Sequence, residues 1–151
     1  MKTLANPRDL AEIRGRVAAL TSSDTRRWGS MTVDQMICHA TDSLLCAVGQ
    51  RTVALLKKPA IPLPIYRWLA LRLPVKWPEG VPTTPEMKQG VGGTPPREFN
   101  ADRTALLSAL DTFMAHPGPW PPHPIFRELT PSQWMRWGYL HTDHHLRQFG
   151  R

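Results

Sequence analysis

Three of the chain's six histidines, His141, His144 and His145, stand close together near the end of the sequence. On an α-helix, at about 100° and 1.5 Å per residue, His141 and His145 lie one above the other, roughly 6 Å apart along the axis. That is close enough to hold a single metal ion between their imidazoles. A third nitrogen must come from a distant part of the chain, and His39 is the natural candidate. Three neutral imidazoles from two helices form a tripod. Such a tripod leaves a tetrahedral or octahedral ion at least one open position for water or substrate, which a catalytic site needs. Nitrogen-only ligation suits zinc, nickel, copper or iron. Zinc is the default and nickel the alternative, because availability rather than affinity order decides. Plainer readings compete: histidines at i and i+4 also arise as a chance surface pair, and His39 also fits a hydrogen-bonded core histidine.

The elements that carry these side chains announce their starts. Thr32 and Gln35 form a capping box for a second helix, with Met31 and Met36 as its hydrophobic staple. Thr130, Pro131 and Gln133 repeat that grammar for the last helix. Taking His39 as zero, Val33, Met36, Ile37, Ala40, Leu44, Ala47 and Val48 fall between about 60° and 180° and define the core-facing stripe. His39 sits at the stripe's edge, with Ser43 at about +40° and Cys46, Gln35 and Asp42 at about −20°, −40° and −60°. A partly buried polar pocket belongs at such an edge. Cys46 is read either as a fourth ligand that closes the site, as a reactive thiol, or as a small buried residue. Asp42 either orients a ligand imidazole by accepting its second N–H or forms a plain salt bridge. In the last helix Trp134 and Gln148 lie within about 20° of His141, with His145 and His144 about 40° and 60° to either side. Asp143 points nearly opposite and is expected to be solvated. Trp134 and Trp137 are expected to pack the bundle.

Two further helices complete the framework. One starts at Asn6-Pro7 and runs to about Leu20; the other starts around Asn100-Ala101-Asp102 and is stopped by His116-Pro117-Gly118. Between them, residues 58–96 are dense in proline, which argues against regular strands. Residues 64–73 read as a short helix, and residues 74–97 as a long excursion over the surface, of a length that is often functional or disordered. His116 and His123, in a second proline-rich linker, read as exposed loop residues. The expected architecture is all-α: four long helices plus one short one, in a single domain over residues 1–151.

The 19 Lys and Arg against 12 Asp and Glu give a net charge of +7. The basic residues are scattered, with no dense stripe and no aromatic-basic module, so nucleic acid is disfavoured as a partner and an acidic small molecule preferred. Arg147 is one candidate to receive it. No apolar run of membrane-spanning length and no secretory stretch occurs, so a cytoplasmic protein without a membrane partner is expected. Cys38 and Cys46, eight apart on one helix and so about 12 Å apart, are expected to stay reduced thiols.

Two motifs carry a resemblance. The stretch Trp28-Gly29-x-Met31, Gln35-Met36 and His39, with the C-terminal His141-x-x-His144-His145-x-x-Gln148, resembles the DinB/YfiT-like superfamily. More narrowly it is similar to a branch of bacterial domains ending in His-His-Leu-Arg-Gln-Phe-Gly. The resemblance spans nearly the whole chain. It implies an up-down-down-up four-helix bundle, often a homodimer, with a three-histidine site whose ligands would be His39, His141 and His145, leaving His144 outside the coordination sphere. Superfamily members include metal-dependent transferases that use a low-molecular-weight thiol (bacillithiol, mycothiol or glutathione) and isomerases acting through a metal-bound thiolate. The expected function is accordingly a metal-dependent, thiol-dependent transferase or a hydrolase acting on a small molecule. The alternative is a non-catalytic protein with a structural metal or a ligand-binding pocket. Asp42, Cys46, His144 and Gln148 are the expected neighbours of the ligands.

Overall fold

The computed structural model describes residues 1–57, 59–73, 76–81 and 83–151. The regular elements among the described residues are all helical, as expected. Helix α1 spans Pro7–Ala18, α2 Val33–Ala47, α3 Leu63–Arg72, α4 Phe99–Ala115 and α5 Pro131–Gln148, with one 3-10 turn at Pro85–Met87. Among the described residues there is no strand, only an isolated bridge between His123 and Arg127.

Local chemistry sets the helix starts. The Asn6 side chain accepts from the backbone N–H groups of Arg8 and Asp9, and Pro7 occupies the first turn, where its missing donor costs nothing. Both predicted capping boxes form, at Thr32/Gln35 and at Thr130/Gln133. The fourth helix begins slightly earlier than its Asn-Ala-Asp signal. Glu98 is its cap, with a carboxylate that takes the N–H groups of Asn100 and Ala101 and complements the positive end of the helix.

Long-range contacts set the directions. The Leu4 N–H donates to the Met135 carbonyl at 3.1 Å, and further along the pair Arg16 binds Asp143 at 2.8 Å, so α1 and α5 run in the same sense. Arg14 pairs with Asp111 while Arg103 donates to the Leu20 carbonyl at 2.7 Å, which sets α4 against α1 in the opposite sense. Helix α2 packs on α4 and on α5. The core that results contains Leu4, Ile13, Val17, Met36, Ile37, Leu44, Leu106, Leu110, Phe113 and Trp134, all essentially inaccessible. Each large side chain buried this way contributes about 1.5–3 kcal/mol. Gly138 lets three segments meet: a Cβ there would stand 2.7 Å from Leu4 Cδ1 and 3.0 Å from Phe113 Cε1. The stripe predicted for α2 faces this core, with Val33, Met36, Ile37, Ala40, Leu44 and Ala47 all buried.

Two sequence expectations fail here. The described residues of 74–97 are not merely an excursion over the surface: the Pro85–Met87 turn packs on α2, and Trp77 donates its indole N–H back to the Ala70 carbonyl at 2.8 Å. Residues 74, 75 and 82 of that stretch lie outside the described residues. His123 is not an exposed linker residue but 6% exposed, because its Nδ1 accepts the N–H groups of Ile125 and Phe126 while its ring lies against Trp134 and Trp137.

Candidate metal centre

The last helix presents His141 and His145 on one face, and α2 presents His39 toward them. The three residues offer ring nitrogens that all lie within 4.8 Å of one another. Ring centroids are 4.7 Å apart for His141 and His145, 4.8 Å for His39 and His145, and 5.6 Å for His39 and His141. Two nitrogens on one tetrahedral zinc, each about 2.1 Å from it, stand about 3.4 Å apart.

A chain of hydrogen bonds fixes which nitrogen each ring has free. The Nδ1 of His39 lies 3.1 Å from the Met87 carbonyl oxygen, which can only accept, so Nδ1 carries the proton and Nε2 the lone pair. For His145 the reasoning takes one more step. Gln148 Nε2 donates to the Trp28 carbonyl at 2.9 Å, which turns the amide oxygen toward His145 Nδ1 at 3.1 Å. That nitrogen therefore donates, and His145 Nε2 is free. Outer partners of this kind, a backbone carbonyl and a side-chain amide, hold ligand imidazoles in place in metal sites. His141 has a buried Nδ1 with no hydrogen-bond partner among the described residues.

Burial and mutual repulsion keep the cluster neutral. Desolvation lowers the proton affinity of His39, and it pushes His141 and His145 well below the ordinary imidazole value. Neighbouring imidazoles add to the effect for His141 and His145. Neutral rings that bring one nitrogen each to within 4.8 Å of the others are the donor set that a divalent cation satisfies. The histidine cluster can therefore bind a metal ion.

The remaining predicted residues fall into place differently. Asp42, 2% exposed, binds the Arg51 guanidinium and the Thr94 amide and hydroxyl, and it touches no imidazole; of its two readings the salt bridge holds. Cys46 is buried and outside the nitrogen cluster, although it lines the cavity beside the histidines, and desolvation pushes its thiol up to about 11, which keeps it protonated. His144 also stands outside the cluster. Its ring lies 5.2 Å from that of His145 and 5.9 Å from that of Trp28, and its Nδ1 is buried without a partner among the described residues. Asp143 is not simply solvated: it is four-fifths buried between Arg16 and Arg147. That pairing occupies Arg147, which does not line the cavity beside the histidines.

That cavity, about 730 Å3, has His39, His141, His144 and His145 in its wall. Helix α3, residues 76–78, 80–81, 83–84 and 87–89, and the Trp28–Met31 stretch contribute to its wall. Sequence reasoning missed the two carbonyls of Met87 and Trp28, since any residue type supplies a carbonyl. It also missed Trp77, whose ring is 6.5 Å from that of His141. Gly29 carried a signal: its φ of +78° suits glycine, and a Cβ there would sit 2.4 Å from Gln148 Nε2. No helix among the described residues is long and apolar enough to cross a membrane.

No curated protein and no solved structure matches the chain. A family model does match it, over residues 6–151, and the chain belongs to that family, described as "Protein of unknown function (DUF1569)".

Proposed function

We propose that this chain is a metal-dependent enzyme of the DinB/YfiT-like type, with a divalent transition metal, zinc first and nickel second, held by His39, His141 and His145. The observation that carries the reading is the convergence of three neutral histidine nitrogens within 4.8 Å at the wall of a cavity of about 730 Å3. A structural metal needs no such cavity; a reacting one does. When bound, the ion supplies Lewis acidity at an open position, toward a thiol, a water molecule or a carbonyl.

The chain's own residues do the rest. Met87 and Gln148 hold the protons of His39 and His145 on the outer nitrogens, so the inner ones stay available. The indoles of Trp77 and Trp137 wall the cluster, Trp137 stacked on His141 at 5.0 Å, and restrict water beside it. Neither thiol of the chain is suited to attack, since burial holds both Cys38 and Cys46 protonated, pushed up to about 12 and about 11. A nucleophilic sulfur would thus come from a small diffusible thiol, and the activity is read as thiol-dependent transfer, with hydrolysis as the variant in which water replaces the thiol. The superfamily assignment is supported by the parallel run of α1 and α5, the antiparallel α4, and the ligand set that the resemblance implies. A homodimer belongs to the same reading.

Elemental analysis of the purified protein tests it. One equivalent of a divalent transition metal per chain is expected, lost in His39→Ala, His141→Ala and His145→Ala variants that keep their helical circular dichroism. A wild-type protein that takes up no metal from a zinc or nickel solution would sink the proposal. Chelation that unfolds the protein would move the metal to a structural role.

A further inference from the structure

The cavity wall carries a second kind of information. Four tryptophans, Trp28, Trp77, Trp134 and Trp137, line it together with Tyr66 and Phe126. Among the described residues no aspartate or glutamate does, and apart from histidine the residues of permanent charge described there are Lys76 and Lys88, both exposed. The surrounding sequence leans the same way. From Ser43 to Pro78 the chain has six basic residues and no acidic one, against a net charge of +7 for the whole. One of the six, Arg51, is neutralised by Asp42. The same stretch contributes Tyr66, Lys76 and Trp77 to the cavity.

We infer that the cavity takes an amphipathic organic anion, its aromatic or alicyclic body among the tryptophans beside the histidine cluster and its carboxylate, sulfonate or phosphate head at Lys76 and Lys88. The inference rests on the proposed reading of the cavity as a substrate site and names the class of substrate. A cationic ligand would meet no counter-charge there and would leave its own charge desolvated. A sugar-like ligand would find hydroxyl and amide partners such as Ser30, Thr83 and Gln89 but would lay many of its own hydroxyls against the indoles. An aromatic body fits, because indole rings offer stacked and edge-on contacts that exceed plain area burial. The head group belongs where the wall reaches solvent, so that an exposed ammonium group of Lys76 or Lys88 meets it without giving up its own hydration. The exposed charges of Lys76 and Lys88 attract an anion to the cavity in a manner that salt weakens.

The test compares a naphthoate with the matching uncharged naphthylmethanol, titrated into the zinc-loaded full-length protein at low ionic strength and followed by tryptophan fluorescence. The naphthoate should bind about fivefold more tightly or better, the worth of one partly exposed charge pair. In the double variant Lys76→Glu/Lys88→Glu that preference should disappear or reverse while naphthylmethanol affinity holds. Equal binding of the two probes by the wild type would overturn the inference. A preference untouched by the double variant would overturn it too, because the head would then sit on the metal. Zinc content measured on the same samples separates the two claims. Full zinc without discrimination sinks the substrate class alone; discrimination without zinc upholds the substrate class and sinks the metal reading alone.

Discussion

Arg51 donates to Asp42 Oδ1 at 2.8 Å and, from the same guanidinium, to the Thr94 hydroxyl and the carbonyls of Glu86 and Gly92. It thereby ties α2 to the loop whose Met87 carbonyl holds His39. Replacing Arg51 by Met leaves a 2% exposed carboxylate supported only by Thr94. The expected loss is about 2–3 kcal/mol, below the full cost of breaking a buried pair because Arg51 is itself partly exposed. Urea denaturation measures it. The double variant Arg51→Met/Asp42→Asn should recover part of the loss, since no buried charge is then orphaned. If the two single losses simply add, the coupling across this pair is absent and the clamp does not operate.

Gly29 and Gln148 act through one amide. Gly29→Ala places a methyl on the Gln148 nitrogen and strains a positive φ, so the amide swings and His145 loses its acceptor. Gln148→Ala removes that acceptor outright. Each variant should bind zinc about 10–100-fold more weakly, the usual cost of losing an outer partner of a ligand histidine, while remaining folded. Combined, they should cost little more than Gln148→Ala alone. Competition with a chromogenic chelator gives the affinities, and full additivity would mean that Gly29 acts by some other route.

What could be read in advance was local. The two capping boxes depend on residues three apart, and the His141/His145 pair on residues four apart, so both follow from helix geometry alone. His39 was placed by its angle at the edge of an apolar stripe. Gln148 was placed near His141 by the same angular argument, yet it serves His145, because the Trp28 carbonyl, a tertiary partner, turns its amide. Asp42 shows the limit more sharply. Its partners lie on a segment without hydrophobic periodicity, and nothing on α2 itself separates a carboxylate that serves an imidazole from one that anchors a loop. His123 sits among prolines and glycine, the composition of exposed linkers, but the linker folds back on itself at the His123–Arg127 bridge and turns the ring into the core.

His123 should make the protein acid-sensitive. Burial lowers its pKa from 6.5 to about 3, so on acidification the unfolded chain takes up the proton first. Its contribution is complete above pH 6.5 and is lost as pH falls from 6.5 toward about 3, at up to about 1.4 kcal/mol per unit. The clustered imidazoles of the metal-free protein, lowered in the same direction, add to this slope. His123→Asn keeps an oxygen that can accept the Ile125 and Phe126 amides and removes the titration. The stability difference between chelator-treated wild type and variant should therefore shift in the variant's favour as pH falls below 6.5, whatever its value at neutrality. Parallel stability curves across that range would refute the assignment.

Cys46 separates a histidine-only centre from one closed by sulfur. With its thiol held up to about 11, only about one molecule in ten thousand carries a thiolate at pH 7. Iodoacetamide should therefore label native Cys46 at a small fraction of the rate seen in urea. Cys46→Ala should keep a full equivalent of metal, with a stability loss of about 1 kcal/mol for the vacated volume. A cobalt-substituted protein gives the independent reading: nitrogen and oxygen donors alone leave the near-ultraviolet free of the strong thiolate-to-cobalt absorption that a sulfur ligand produces. Loss of metal in Cys46→Ala together with that absorption in the wild type would make the centre a closed four-ligand site. The proposed open position, and with it the catalytic reading, would then fall.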